Sequence, residues 1–560
     1  MVSTLKNLLN EYNMYRLIIW FCCFGMGIYG AETYDDTVTE IVNGKIRGQV
    51  RKSFTGKEFI AYEGIPYAAP PTGQGRFKLP KDPDNWTGIL ETTDNTQVCA
   101  QVSSPIPSVV GTEDCLYLNV YTPKNYKHFN QSLPVFAFIH GGAFQSRSKS
   151  VWLPDYFIMN DIILVTFNYR LGVLGFLSTE DGVIPGNLGL KDQRFALRWV
   201  SKNIEKFGGA PDKVILGGQS AGSVSVSYQL LDPKNEGLFR GVIMMSGSAL
   251  CHHELQPTPQ KVAYRLGKVI NSSFTGKSEE LLSILQETPI EHLLLKANSL
   301  LVKSQFLNAE NPVKIGSLEN IWLPVVESKS DQDILIGSPM HQAFIDGNFI
   351  KVPMVAGFTT EEIVFFADYV NVLTNASKLD AEPDLLIDDK LRISNKLEAG
   401  RKLKYSYTNS FKQDPESLIK YLSDNFYTTP ILRQAELAMK HVPVYIYEFS
   451  DAYKSRFEIQ GKKVTAHTSD LPLIFYSAFN ITYPVDYLTQ KRFLKLYTNF
   501  IKYQNPTPEY DDMLIHWPKT TENLNYLNIN TTLEILTHPK KYESWKNILN
   551  TYMSKPYFVY

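Results

Sequence analysis

The most informative stretch of the chain reads VILGGQSAGSVSVSYQLL, from Val214 to Leu231. It opens with a short apolar run, which is typical of a strand buried on both faces. The glycines and small residues around Ser220 permit a sharp turn, and the following residues suit a helix. The stretch therefore predicts a strand, a tight turn at Ser220 and a helix.

Five further apolar runs of the same kind are followed at once by glycine or polar residues: Val135–Ile139, Ile162–Phe167, Val242–Met245, Val352–Ala356 and Val444–Tyr447. Helical spacing of apolar residues occurs between them, for example in Lys191–Phe207. Alternation of buried strands with helices predicts an α/β fold with a mostly parallel, doubly wound sheet.

Residues 257–434 have a different character, because helix-start signals cluster there. Thr258-Pro259, Thr288-Pro289 and Asp414-Pro415 each combine an N-cap oxygen with proline at the first helical position. Thr288 with Glu291 also matches a capping box. We predict helical insertions over the active-site edge of the sheet. The sequence shows neither internal repeats nor a low-complexity linker, so one domain is expected over 32–560.

The N-terminus predicts secretion. Arg16 precedes an uncharged run, Leu17–Ala31, that is shorter than the ~20 apolar residues of a membrane span, so we predict a cleaved signal peptide over 1–31. A retained signal anchor is the alternative. N-glycosylation sequons fit an extracellular glycoprotein with no membrane segment after cleavage; they begin at Asn85, Asn130, Asn271, Asn375, Asn480 and Asn530. An oxidising compartment also allows a Cys99–Cys115 bridge, with Cys251 left over.

Composition excludes several classes of protein. Apolar residues make up 44% of the chain and charged residues 20%, which is the profile of a folded globular protein. The formal net charge of −1 provides no basic surface field, so we expect no nucleic-acid partner. No Walker loop or dinucleotide fingerprint occurs, and we expect no cofactor. His252-His253-Glu254 lack the spacing of metal ligands and are interpreted as a surface turn, so no metal site is predicted.

Ligands of open α/β sheets collect beyond the carboxyl ends of the strands. Gly218–Gly222 is a G-x-S-x-G stretch there, with Ser220 as candidate nucleophile and the Ala221 N–H directed at a substrate oxygen. Small residues follow His140, just after the apolar run Val135–Ile139. They leave backbone N–H groups unshielded, as an oxyanion hole requires.

A nucleophilic serine needs a base, and the base needs an acid that fixes its tautomer. Glu361 and Glu362 follow Val352–Ala356, and His467 lies in the loop after Val444–Tyr447. These residues alone do not decide between the two glutamates.

Several stretches resemble the type-B carboxylesterase family, which includes carboxylesterases, cholinesterases and insect juvenile hormone esterases. They are GIPYA at 64–68, EDCLYLNV at 113–120, the stretch around Ser220, and SGSA at 246–249. The resemblance runs from about residue 40 to about residue 550 and implies the α/β-hydrolase fold with the chain order Ser, acid, His.

The resemblance also implies roles for individual residues. Ser220 matches the family's nucleophile, Glu362 rather than Glu361 its acid, and His467 its base. Gly142 and Ala143, together with Ala221, match the oxyanion donors, and the family disulfide supports Cys99–Cys115.

Departures from the family pattern bear on the substrate. Most members of the family have glutamate at the position of Gln219. Glutamine at this position resembles juvenile hormone esterases and other secreted insect esterases. The loop from Cys99 to Cys115 lacks tryptophan, which argues against choline esters. We expect a serine carboxylesterase that hydrolyses uncharged small-molecule esters through an acyl-serine intermediate. A juvenile hormone esterase is the narrower alternative, and a non-catalytic adhesion or ligand-binding relative is the second.

Overall fold

A computed structural model describes residues 35–103, 106–309, 320–366, 369–453, 455–477 and 486–560. The predicted signal peptide, 1–31, and the sequon at Asn480 lie outside these residues.

The core of the fold is an eleven-stranded sheet. We number its strands in chain order: β1 Gln49–Lys52, β2 Glu58–Pro66, β3 Tyr117–Pro123, β4 Leu133–Ile139, β5 Ile163–Phe167, β6 Gly209–Gln219, β7 Gly241–Met245, β8 Met354–Thr359, β9 Val444–Phe449, β10 Tyr526–Ile529 and β11 Leu533–Leu536. Their spatial order is β1-β2-β3-β5-β4-β6-β7-β8-β9-β10-β11. The strands from β5 to β10 in this order pair in parallel, and the pairs at both ends are antiparallel. The predicted mostly parallel sheet is confirmed.

Shorter strands form four small sheets beside it: Val38–Ile41, Gly44–Arg47 and Ile89–Glu91; Gln101–Val102 and Val109–Val110; Trp152–Leu153 and Tyr476–Ser477; Phe457–Ile459 and Lys462–Val464. The helices are α1 Asp155–Met159, α2 Gly172–Phe176, α3 Leu188–Asn203, α4 Ala221–Leu231, α5 Pro259–Ile270, α6 Ser278–Glu287, α7 Ile290–Ala309, α8 Met340–Asp346, α9 Tyr369–Thr374, α10 Ala376–Ala381, α11 Lys396–Tyr407, α12 Pro415–Ser423, α13 Thr429–Ala438, α14 Tyr487–Tyr503 and α15 Tyr542–Tyr552.

Strand β4 shows why the apolar runs are continuous rather than alternating. Val135, Ala137 and Ile139 pack into the core on one face, whereas Phe136 and Phe138 pack into the core on the other. Because helices cover both faces of the sheet, neither set of side chains meets water.

All six predicted strands are present, with shifted ends. The run predicted over Val352–Ala356 forms a strand only from Met354, since Pro353 has no N–H to donate to a neighbouring strand. The helix predicted over Lys191–Phe207 is α3, which continues into a 3-10 turn, Ile204–Phe207.

The segment predicted to be helical contains α5 to α13, together with β8. Asp414 caps α12 as expected, because its carboxylate accepts a hydrogen bond from the Ser417 N–H at 3.1 Å. The capping box at Thr288 is wrong, since the Thr288 hydroxyl instead donates to the Ile284 carbonyl at the end of α6. Among the described residues, no helix is both long and apolar enough to cross a membrane.

The disulfide bond agrees with the sequence-based expectation, whereas the expectation for residues 252–254 needs correction. Cys99 and Cys115 are disulfide-bonded, and Cys251 is buried as a free thiol. The interpretation of His252-His253-Glu254 as a surface turn is wrong, since all three residues are buried. The rings of His252 and His253 pack against Phe426 of the helical insertion. Among the sequons, Asn85, Asn130 and Asn271 are exposed, whereas Asn375 and Asn530 are partly buried.

Candidate active site

Strand β6 ends in a strained turn at Ser220. Its φ of 58° and ψ of −130° are unusual for a residue with a side chain, and α4 starts at the next residue. Close packing explains the glycines on either side. A Cβ on Gly218 would lie 2.3 Å from the Gly222 carbonyl oxygen, and one on Gly222 would lie 2.1 Å from that of Ile139. The Ser220 N–H donates to Met245 on β7, so the turn is held against the neighbouring strand.

Glu362 and His467 meet beyond the ends of β8 and β9. The Nδ1 atom of His467 lies 2.6 Å from Oε2 of Glu362, and both side chains are buried. The second carboxylate oxygen, Oε1, accepts from the Ser246 hydroxyl at 2.6 Å and from the Thr359 N–H at 2.8 Å. An ionised carboxylate only accepts hydrogen bonds, so the proton of the neutral imidazole lies on Nδ1. The Nε2 atom is then free to act as a base.

The alternative acid, Glu361, does not contact His467. It is half-buried, and its carboxylate accepts hydrogen bonds from the Thr465 N–H and the Thr360 hydroxyl. Of the two glutamates that the residues alone left open, Glu362 is therefore the one that bonds the imidazole of His467.

Gln219, the residue before Ser220, faces the other side of the imidazole. Its side-chain nitrogen lies 3.1 Å from His467 Nε2. Between the described side chains of Ser220 and His467 there is no hydrogen bond. Hydrogen bonds between nucleophile and base are commonly long in unliganded enzymes and shorten when substrate binds. Sequence reasoning treated Gln219 only as a departure from the family pattern and missed its contact with the base.

The loop after β4 lies against the serine. A Cβ on Gly141 would be 3.0 Å from the Cβ of Ser220. Gly142 and Ala143 both have positive φ, at 113° and 53°. Within the described parts of the chain, the backbone N–H groups of Gly142, Ala143 and Ala221 have no hydrogen-bond acceptor. Unpaired donors beside a candidate nucleophile suit the binding of a developing oxyanion.

Two side chains, those of Asn320 and Gln145, link this loop to residues 320–322. The Asn320 amide donates to the Ala143 carbonyl at 2.7 Å, and its oxygen accepts from the Trp322 N–H at 3.1 Å. In return, the Gln145 amide donates to the Trp322 carbonyl at 3.1 Å. These contacts join residues about 177 positions apart, and no local sequence signal marks them.

Aromatic rings enclose the imidazole of His467. Ring centroids of Phe365, Phe366 and Tyr427 lie 5.7, 5.6 and 4.9 Å from it. Tyr427 belongs to a π-helical turn, Asp424–Thr428, that joins α12 to α13. Such turns are frequent at functional sites, and Pro430, which cannot donate a helical hydrogen bond, follows it. A proline inside a helical pattern was thus the one local feature of the sequence that could have indicated this π-helical turn.

Burial controls the charges around the site. Desolvation lowers the pKa of His140 to about 4 and lowers that of His253 well below its ordinary value, so both imidazoles are neutral at pH 7. It raises the pKa of Asp470, three residues after His467, to about 6, and that of Glu254 to about 7. The described residues contain no cluster of three or more His, Cys, Asp or Glu side chains that could hold a metal ion.

Comparison with known proteins identifies the family of the chain. A model of the carboxylesterase family matches residues 35–546. Venom carboxylesterase-6 from Apis mellifera is 31% identical over 568 residues, covering 96% of this chain and 99% of that protein. Juvenile hormone esterase from Tribolium castaneum is 32% identical over 526 residues, covering 87% and 85%.

A solved structure gives the same picture. The crystal structure of juvenile hormone esterase from Manduca sexta, with OTFP covalently attached, superposes with a TM-score of 0.77 at 28% identity and covers 92% of this chain and 99% of that one. The predicted α/β-hydrolase fold is thus confirmed. The chain belongs to the carboxylesterase family and is a carboxylic ester hydrolase.

Proposed function

We propose that the protein is a serine esterase that hydrolyses uncharged carboxylic esters through an acyl-enzyme on Ser220. The observation that carries this proposal is the 2.6 Å contact between His467 Nδ1 and Glu362, which leaves Nε2 as a base on the side of the strained serine turn. A serine hydroxyl is a weak nucleophile until such a base takes its proton.

The reaction has two halves. In the first, Ser220 Oγ attacks the ester carbonyl while its proton moves to His467 Nε2, and the tetrahedral oxyanion accepts hydrogen bonds from Gly142, Ala143 and Ala221. The imidazolium then protonates the leaving alcohol as the carbon–oxygen bond breaks. In the second half, His467 takes a proton from water, the resulting hydroxide attacks the acyl carbon, and the returned proton restores the Ser220 hydroxyl.

An uncharged substrate fits the surroundings of the base. Gln219 presents a neutral amide where a carboxylate would attract cations, and three aromatic rings, those of Phe365, Phe366 and Tyr427, line the imidazole. His253 is neutral at pH 7 because burial lowers its pKa. Because these side chains near His467 are uncharged, they favour apolar ester groups over charged ones.

Juvenile-hormone-like methyl esters are the narrower candidate substrate. Two of the similar proteins are juvenile hormone esterases, and one of them carries a covalently attached ligand in its crystal structure. A non-catalytic binding relative is the weaker alternative, since serine, acid and histidine are all present here and the acid and histidine are in contact.

We further propose that the mature enzyme is a secreted glycoprotein with a single catalytic domain over 32–560. The disulfide between Cys99 and Cys115 and the exposure of Asn85, Asn130 and Asn271 support an extracellular location. The partner that we propose is a small-molecule ester substrate. We propose no nucleic-acid partner, no membrane partner after signal cleavage and no cofactor.

A comparison of kcat/KM across esters tests the proposal. Purified enzyme is assayed with aryl esters of increasing acyl length and with a juvenile-hormone-like methyl ester, and Ser220→Ala serves as the inactive control. Hydrolysis of aryl esters that the control abolishes supports the serine mechanism. The narrower proposal requires that the methyl ester exceed every aryl ester in kcat/KM. Absence of turnover with all substrates, or full activity of Ser220→Ala, would contradict the serine mechanism.

A further inference from the structure

The side chain of Gln219 occupies the position on the base that an attacking serine needs. Its nitrogen lies 3.1 Å from His467 Nε2, and the residue is only 3% exposed. An amide nitrogen can only donate, and Nε2 carries no proton when Nδ1 donates to Glu362. The contact is therefore an N–H to lone-pair hydrogen bond, which exists only while the imidazole is neutral.

Packing limits other arrangements of this amide. Its oxygen lies 3.1 Å from the point where a Cβ on Gly141 would be, so the side chain fits between the oxyanion loop and the imidazole. The imidazole itself is bonded to Glu362 and packs against the rings of Phe366 and Tyr427. The position of the imidazole is thus set by contacts that do not involve Gln219.

We propose that Gln219 is a positioning residue that holds His467 in its neutral, Nδ1-protonated form until substrate binds. The inference rests on the serine mechanism proposed above. A hydrogen bond made only to the neutral form of a base favours that form over the protonated one. Gln219 therefore keeps the base ready to accept the Ser220 proton at pH values where an unsupported imidazole would already be charged.

Other ionisable groups also face His467. They are Glu362 and Asp470, whose carboxylates favour the imidazolium, together with His253 and Tyr427. All of them stay in place when Gln219 is changed. A difference in pH profile between variant and wild type consequently isolates the contribution of the amide.

The test is the acid limb of the pH profile of kcat/KM for an aryl ester. Gln219→Leu removes the donor, and we expect the acid limb to move to higher pH by a few tenths to about one unit, as a hydrogen bond of ordinary strength implies. Gln219→Glu places a carboxylate beside Nε2 and favours the imidazolium, so we expect a larger move of about one unit or more.

Gln193→Leu is the matched control. Gln193 is a fully buried glutamine on α3 whose amide bonds the Ser225 hydroxyl at 3.0 Å, and its loss should leave the acid limb in place. If Gln219→Leu is unfolded by circular dichroism, Gln219→Met removes the same donor with an unbranched side chain.

Acid limbs of the Gln219 variants that coincide with wild type, or that move to lower pH, would overturn the proposal. A general structural effect would lower kcat/KM at every pH without moving the limb. Failure of the serine mechanism itself is distinguishable, because it would show as wild-type activity that Ser220→Ala retains.

Discussion

Replacing the buried acid with its amide, Glu362→Gln, tests the assignment of protons in the site. Oε1 of Glu362 accepts from two groups, Ser246 and Thr359, and the Thr359 N–H can act only as a donor. The amide oxygen of glutamine must therefore take the Oε1 position. Its NH₂ group then lies at the position of Oε2, 2.6 Å from Nδ1 of His467.

Two donors cannot face each other at that distance, so Nδ1 must lose its proton and Nε2 must gain it. The wrong tautomer has no lone pair for the Ser220 proton. In the serine protease triad, the equivalent change of acid to amide lowers kcat by about 10⁴-fold. We expect a loss of about 10³–10⁴-fold, which corresponds to roughly 4–5.5 kcal/mol of transition-state stabilisation.

The assay is kcat/KM for an aryl ester, with thermal unfolding to show that the variant is folded. Glu361→Gln is the control, because that neighbouring carboxylate bonds Thr360 and Thr465 rather than the imidazole, and it should retain activity within a few-fold. A folded Glu362→Gln enzyme with more than about a tenth of wild-type kcat/KM would refute the reasoning, since one-tenth corresponds to only ~1.4 kcal/mol.

Three further changes address the oxyanion loop, the disulfide and the buried carboxyl. Asn320→Ala removes the hydrogen bond to the Ala143 carbonyl, and we expect kcat to fall about tenfold with KM little changed. This is less than the fall of about 10²–10³ in kcat that follows the loss of one oxyanion donor. A change confined to KM would contradict a role of Asn320 in holding the oxyanion loop. Cys99→Ser opens the bridge to Cys115, 16 residues away, and should lower the free energy of unfolding in urea by ~3 kcal/mol, whereas an unchanged midpoint would show that the bridge does not stabilise the fold. Burial raises the pKa of Glu254 to about 7, so the folded state binds the extra proton between about pH 4.5 and 7, and stability falls as pH rises through that window. Glu254→Gln should remove up to about 3 kcal/mol of this fall, as measured by urea unfolding at pH 5 and pH 8, and an equal fall in both proteins would count against the assignment.

The sequence predicted those parts of the site that depend on local pattern. The apolar run Val214–Leu216 predicted a strand, and the small residues around Ser220 predicted a sharp turn, so both follow from sterics along a few residues. Parallel strands end at a common edge, which brought His467 and the glutamates to the same side of the sheet. The choice of Glu362 needed the family resemblance.

Contacts between distant segments could not be predicted in this way. Asn320 reaches Ala143 across 177 residues, and nothing in the composition of either segment indicates the pairing. The polar character of His252 and His253 suggested a surface turn, but both residues are buried and pack against Phe426. Burial of this kind depends on what the helical insertion covers, and periodicity within one segment carries no such information.

Peptide mapping after treatment with an organophosphate ester shows directly whether Ser220 is the nucleophile. Such a reagent phosphorylates an activated serine, and the adduct is stable enough for mass spectrometry. We predict one adduct per chain, on the peptide containing Ser220, with activity lost in proportion to labelling and with no adduct in Ser220→Ala. Full inhibition with the adduct on another residue, or an active wild-type enzyme that does not label, would contradict the account.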